Sequence, residues 1–427
     1  MDTLKQAYAD YEWAIKLNRT CLRILGIWPK DNETKWEKLT TNVRIIVMLN
    51  IGIWFCLIPS VHSLLKIWGD LMSMIDNLQY TLPFTIAMIK FFIMWQRKRD
   101  ILPLLKMIKH DWLKPKIVQE RNVMIKRARL ACMLTIFGYF IMFVSFFLGT
   151  TLPVFGFSMR YLTNKTDPGR LMPLQTYYFY DRDKSPFYEI TYILQTIGIF
   201  MVAAAYTGTD CFFSLLVFHV CGQLENLKTR VIGLDKFNNF ESVLSHSIQD
   251  HMRLIRSINV IDNIFTLMLL AALFYFGILF AFYGFLFGTM ITQRGDVSVL
   301  RLTFIMIVFI NTFAHTCLYC TVGEIMVAQV IKIFFIRYRM SIDFEHAIFW
   351  RIIDLFVKCE GVYEAACECK WYTMEPKKAR NLLIIMIFAN KPLYLTAGKL
   401  FPMTMATLCN LLKTSGGYIS FLLAYRE

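Results

Sequence analysis

Three carboxylates, Asp76, Asp210 and Glu324, stand among apolar neighbours. A carboxylate in such surroundings needs a partner, so each marks a buried pair or a functional contact. Asp76, followed by Asn77 and Gln79, either pairs within the protein or meets a ligand. Asp210 and Glu324 read as structural pairs, and Lys90 as a side chain that snorkels from the end of its segment to water. The eleven cysteines are scattered. Cys317-x-x-Cys320 lies in an apolar run, and Cys367-x-Cys369 has no His or Cys at ligand spacing, so neither reads as a zinc or redox site. No nucleophile–base pair, metal cluster or phosphate loop stands out, so the sequence reads as a non-enzyme without cofactors. The stretch 396–427 carries a different signal: Thr407, Asn410, Thr414, Tyr418, Phe421 and Tyr425 recur at helical spacing along an otherwise apolar run. Such a stripe packs on protein, helped here by Gly416-Gly417, or lines water as a pore wall. Thr414, Tyr418, Phe421 and Tyr425 are the candidate pore residues.

The elements that must position these residues are membrane spans. The chain is 56% hydrophobic, with long runs free of charge. Its net charge of +15 comes from Lys and Arg between those runs, the pattern of cytoplasmic loops and not of nucleic-acid binding. The expected spans are 43–65, 71–95, 130–154, 187–220, 267–291, 302–330 and 400–424. Residues 1–42 read as a polar segment with short amphipathic helices, 96–129 as a basic linker, and 155–186 as a Tyr- and Pro-rich loop. In 221–265, Leu224, Leu227, Val231 and Leu234 continue a helical period beyond the bilayer. The expected fold is therefore an all-α bundle of seven transmembrane helices. Of the 46 Lys and Arg, 32 fall on the face holding the N-terminus and 9 on the other. That asymmetry predicts a cytoplasmic N-terminus and an extracellular C-terminus. Asn164-Lys165-Thr166 then lies outside as a glycosylation sequon, whereas Asn18-Arg19-Thr20 and Asn32-Glu33-Thr34 lie inside. This orientation, and the lack of an Asp-Arg-Tyr at the inner end of span three, disfavour a G-protein-coupled receptor. The absence of internal repeats disfavours a secondary transporter.

Several motifs together resemble the insect odorant receptors, in particular their ant and bee expansions. They are Trp13–Arg19 with Gly26-Ile27-Trp28-Pro29, His219–Glu225, Tyr319–Glu324, Trp371-Tyr372 with Pro376–Arg380, Thr396–Phe401, and Lys413–Ser415 through Tyr418. The resemblance implies a tuning subunit in the plasma membrane of olfactory sensory neurons. With a shared co-receptor it would form a hetero-tetrameric, odorant-gated, non-selective cation channel. The last helix would line the pore. Residues 221–265 and 359–395 would contribute to a cytoplasmic anchor, which includes a short helix before the last span. Odorant would bind in the outer halves of spans two, three, four and six. A volatile ligand offers little beyond apolar area, so its pocket should be aromatic and aliphatic. The expected residues are Met74, Leu78 and Tyr80 on span two, Phe140, Phe143 and Phe147 on span three, Tyr192, Thr196 and Phe200 on span four, and Phe304 and Val308 on span six. A seven-span metabotropic or gustatory-type chemoreceptor is the alternative.

One segment breaks the resemblance. In the family, the Val-Gly-Glu closing span six leads almost directly to the Trp-Tyr block, whereas here the 29 residues Val330–Lys358 intervene. Val codons begin GT and a Lys codon can end AG, the usual intron boundaries, and the length is a multiple of three. The expectation is a retained intron or an insertion, which as protein would form an amphipathic helix on the inner membrane surface.

Overall fold

A computed structural model of the protein describes residues 2–30, 33–157, 169–233, 239–292, 299–327 and 394–426. Helix α1 (Asp2–Ile24) is followed by α2 (Lys35–Ile51), which runs through a π-helical turn at Gly52–Leu57 into α3 (Ile58–Lys66). Then come α4 (Leu71–Gln96), α5 (Lys98–Leu113), α6 (Val118–Thr151), α7 (Phe187–Ile232), α8 (Phe240–Thr292), α9 (Val299–Val327) and α10 (Met405–Arg426). Six of these segments, with α2 and α3 counted as one, are long and apolar enough to cross a membrane. Helix α10 is less apolar, but its 22 residues still reach across about 30 Å of hydrocarbon. The all-α expectation holds, apart from a hairpin of two-residue strands, β1 (Thr396–Ala397) and β2 (Phe401–Pro402).

Local chemistry explains the boundaries that differ from the sequence reading. The N-terminal region forms one long helix in place of several short ones, because Ala14, Ile15, Asn18 and Leu22 give α1 a continuous buried face. It stops at Gly26, whose φ of +78° lets the N–H groups of Ile27 and Trp28 turn back to the Leu22 carbonyl. The linker 96–129 is almost wholly helical. Helix α5 buries Ile101, Leu104, Ile108 and Trp112, and α6 begins with a buried Glu120 and Arg127. The last span begins at Met405 and not at residue 400, because Thr396–Pro402 is held as the hairpin. Helices α7 and α8 run 46 and 53 residues without a break, so each projects beyond the bilayer as its sequence suggests. The short helix expected before the last span and the segment 330–358 lie outside the described residues.

Helices α7 and α8 form the centre. Helix α6 lies along α7, α4 packs on both, and α9 and α10 pack on α8. One core cluster runs from Ala14 and Ile15 through Phe212, Phe218, Phe265 and Phe285 to Leu408. A smaller one joins Cys56, Phe84, Ala87, Met88, Leu174 and Val202 near the end of the bundle where the 169–186 loop sits. Span one and α7 approach closely at Gly198, where a Cβ would lie 2.8 Å from the Cys56 sulfur.

Candidate functional site

The 169–186 loop folds inward over the bundle. Its buried residues Met172, Leu174, Gln175, Thr176 and Tyr178 wedge between α3, α4 and α7. Gln195 of α7 is the hub. Its Nε2 donates to the hydroxyls of Thr176 and Tyr178 at 3.1 and 3.0 Å, and its Oε1 accepts from the Leu174 N–H at 3.2 Å. The Tyr178 hydroxyl donates to the Phe55 carbonyl at 2.6 Å, and Asn77 Nδ2 reaches the Ser60 carbonyl at 3.3 Å and the Gln175 carbonyl at 3.5 Å. These bonds satisfy a loop that burial would otherwise leave with orphaned polar groups. At the rim, Lys66 Nζ stands 3.0 Å from the Tyr177 ring centroid, and His62 stacks on Phe179 at 4.8 Å.

Beneath this lid the wall is apolar. Tyr80, Phe84 and Met88 of α4 meet Ile199, Val202 and Tyr206 of α7 and Leu174 of the lid. Two buried polar groups here have no protein partner, the Thr196 hydroxyl and both amide atoms of Gln175. Since an unmet buried donor or acceptor costs about 1–3 kcal/mol, such groups favour a small ligand able to hydrogen-bond. An apolar wall with three such polar atoms beside it suits a compact, mostly apolar molecule.

The residues expected from sequence fall into two groups. Met74, Leu78, Tyr80, Tyr192 and Thr196 are half-buried toward the N-terminal ends of α4 and α7, and the Tyr192 hydroxyl donates to the Thr150 carbonyl at 2.5 Å. Val308 packs half-buried against the main core. Phe140, Phe143 and Phe147 are not brought to them; they are 65%, 57% and 54% exposed on the outer face of α6. Phe200 is 37% exposed and packs edge-on against Phe146. The inward face of α6 is instead Ala131, Thr135, Met142, Phe146 and Thr150. Small and polar residues mark the packed face of a helix in lipid, and that signal was in the sequence. The Phe304 side chain and Asn164 lie outside the described residues.

Asp210 is paired as expected, but its partner Lys90 and a clamp on the hairpin were not anticipated. Lys90 does not snorkel. It is 1% exposed and binds Asp210 of α7 at 2.8 Å, because a lysine this deep in the bundle is stable only against a carboxylate. Asp76 is fully buried and accepts from Gln79 Nε2 at 2.9 Å. Glu324 serves α10, accepting from the Met405 N–H at 3.2 Å. The hairpin is clamped to α8 at Asp262, which accepts from the Thr396 N–H at 2.7 Å and from Lys399 Nζ. Lys399 has a φ of +61°, unusual for a residue with a side chain, and its N–H is held by the Thr266 hydroxyl at 3.0 Å.

Helix α10 docks through one side. Leu408 and Ser415 are buried and Ile419 is half-buried; Ser415 donates to the Gly277 carbonyl at 3.1 Å, and Ile419 fills the space left by Gly284. The stripe faces away. Thr414, Tyr418 and Phe421 are exposed, the last two by 58% and 66%, and Thr414 meets only its own helix at the Asn410 carbonyl, 2.8 Å away. The Tyr425 side chain lies outside the described residues.

Comparison with known proteins returns consistent relatives. The family model described as "7tm Odorant receptor" matches residues 70–330 and 353–416. Odorant receptor 10 of Aedes albopictus is 22% identical over 248 residues, a stretch that spans 57% of this chain and 57% of that relative. The insect olfactory receptor OR5 from Machilis hrabei in complex with eugenol superposes with a TM-score of 0.75 at 14% identity, covering 98% of this chain and 99% of that one. A second structure of OR5 from Machilis hrabei superposes with a TM-score of 0.72 at 14% identity, covering 97% of this chain and 99% of that one.

Proposed function

This chain belongs to the 7tm odorant receptor family, and from that premise we propose that it is the odorant-binding subunit of a ligand-gated cation channel. The observation that carries the channel reading is α10. Its apolar side is seated on α8, while Thr414, Tyr418 and Phe421 face away from the subunit. In an assembly of four such subunits, with the co-receptor supplying the others, this stripe lines a central path. The rings of Tyr418 and Phe421 then form an apolar constriction that gates by dewetting. On this reading the N-terminus is cytoplasmic, which the basic-residue asymmetry supports, and the assembly works in the plasma membrane of olfactory sensory neurons.

The ligand site is the region under the lid, beside Tyr80, Thr196 and their neighbours on α4 and α7. Its ligand is a small volatile with one hydrogen-bonding group. Eugenol, the molecule in the OR5 complex, has that character and is a rational first probe. Phe140, Phe143 and Phe147 meet lipid.

The test is co-expression with a co-receptor and recording of current against an odorant panel. Odorant-evoked cation current supports the reading, and a GTP-dependent response without the co-receptor would replace it with the metabotropic one. Cysteines at Thr414, Tyr418 and Phe421 should react with water-soluble thiol reagents faster when odorant is present. Greater reactivity at Leu412 and Ile419 would reverse the pore face. A tag on the N-terminus should stay unstained in intact cells.

Residues 330–358 are read as an insertion or retained intron. The family model passes over 331–352, which supports that reading. Most antennal transcripts should lack the codons for Val330–Lys358, and the 427-residue chain should assemble poorly with the co-receptor.

A further inference from the structure

Below the proposed ligand site, α4, α7 and α9 are tied at one point. Lys90 Nζ of α4 donates to both carboxylate oxygens of Asp210 on α7, at 2.8 and 3.0 Å, and to the Tyr319 hydroxyl on α9, at 2.8 Å. It also stands 3.5 Å from the centroid of the Tyr206 ring, whose other contacts include the edge of His315 on α9. One turn beyond Tyr319, on the same face, α9 meets the start of α10. Gly323 lies so close to Met403 that a Cβ would collide with its carbonyl oxygen, and Glu324 accepts from the first N–H of α10. One turn of α9 therefore holds the charged cluster, and the next holds the base of the exposed-stripe helix.

We propose that Tyr319 is a positioning residue for gating. Through its hydroxyl, the Lys90–Asp210 pair fixes α9 to α4 and α7, so that ligand-driven movement of those two helices is delivered to the base of α10. The proposal rests on the channel reading above. Its physical basis is stiffness. Apolar faces slide past one another at little cost, whereas a buried ammonium bonded at fixed angles to three oxygens resists displacement. Stability alone needs only the pair of opposite charges. The Tyr319 hydroxyl is an added attachment to the third helix, and removing it unpairs no charge.

The experiment uses the full chain co-expressed with a co-receptor. It compares current evoked by an odorant panel including eugenol, current evoked by an agonist acting directly on the co-receptor, and the amount of protein at the cell surface. Tyr319→Phe should lower the odorant maximum relative to the agonist maximum by about 5-fold, the lower end of ordinary coupling between sites, with surface amount and agonist current unchanged. The double variant Lys90→Met with Asp210→Asn removes both charges at similar volume. Adding Tyr319→Phe to it should change nothing further, since the ammonium it served is gone. An unchanged odorant-to-agonist ratio in Tyr319→Phe overturns the proposal. So does an equal Tyr319→Phe effect with and without Lys90, or a proportional loss of both currents and surface protein, which marks a structural role. Absence of either current from the unsubstituted chain would instead sink the channel reading itself.

Discussion

Helices α6 and α8 are both strongly apolar spans, yet the most apolar window of α6 is 11% buried and that of α8 is 61% buried. In water this contrast could not persist, because exposed phenylalanines would drive association. In a bilayer, lipid solvates Phe137, Phe140, Phe143 and Phe147 as readily as a protein interior would, so apolarity carries no information about which face is inside. In α6 that information lies in Thr135, Gly138 and Thr150. In α8 it lies in Gly277 and Gly284, whose missing side chains admit Leu411 and Ile419 of α10. In both helices, small or polar residues mark where neighbouring helices close on one another.

The comparison is sharpened most by truncating one aromatic on each helix. Phe285→Ala on α8 removes a side chain that is 0% exposed and should cost about 3–5 kcal/mol. Phe140→Ala on α6 should stay within about 0.5 kcal/mol of wild type. Thermal unfolding of the detergent-solubilised protein measures both, and equal losses would mean that α6 is buried against something else.

Next in size is Gly323→Ala, which forces a methyl group into the Met403 backbone and should destabilise by about 1–3 kcal/mol as overpacking. Its distinctive signature is a changed pattern of thiol accessibility along α10, with α6 unaffected. A silent Gly323→Ala would show that the α9–α10 contact is loose.

For ligand sensitivity, Tyr80→Ala should raise the half-effective odorant concentration about 10-fold, the effect of about 1.4 kcal/mol of lost binding. Phe143→Ala should leave it unchanged. A shift from Phe143→Ala equal to that from Tyr80→Ala would return the outer face of α6 to the binding site.

The smallest effect separates the helix ends around α5 from the apolar spans through pH. Asp111 of α5 is buried, which pushes its carboxyl up, but His219 and Arg253 beside it more than offset this and hold it below the usual value. A depressed folded-state value stabilises above the unfolded value of about 3.9, and the contribution is lost as pH falls through the folded one. The wild-type protein should therefore lose more stability than Asp111→Asn on acidification from pH 5 to pH 3. Parallel curves would mean that the Asp111 contacts contribute nothing.

The spans were legible because about 20 apolar residues are needed to cross a bilayer and little else has that length. The continuation of α7 and α8 beyond the bilayer was legible from the 3-4 spacing in 221–265. Choosing Phe140, Phe143 and Phe147 for the ligand site followed size and aromaticity, which in lipid do not distinguish inward from outward. Lys90 was misread because a lysine near a helix end is ordinarily solvated, and its partner Asp210 lies 120 positions away in sequence. The lid was invisible because its order depends on bonds to other segments, from Gln195 and Asn77 and to the Phe55 carbonyl, that no local pattern reveals. The hairpin was read as the start of a helix because its hold on Asp262, through the Thr396 N–H and hydroxyl and the Lys399 ammonium, reaches across 134 and 137 positions of sequence, which local spacing does not reveal.

The hairpin makes the base of α10 independent of the length of chain that precedes it. Thr396–Lys399 is fixed by its own bonds to α8, and the first N–H of α10 by Glu324 of α9, so the chain that precedes them joins an end already held in place. Loop closure grows more costly by just ~0.6 kcal/mol for each doubling of length. The gene can therefore gain or lose a cassette of codons at this junction without displacing the final helix within a subunit. Chains that differ in length at this junction can therefore keep the same seat for α10 on α8 and α9.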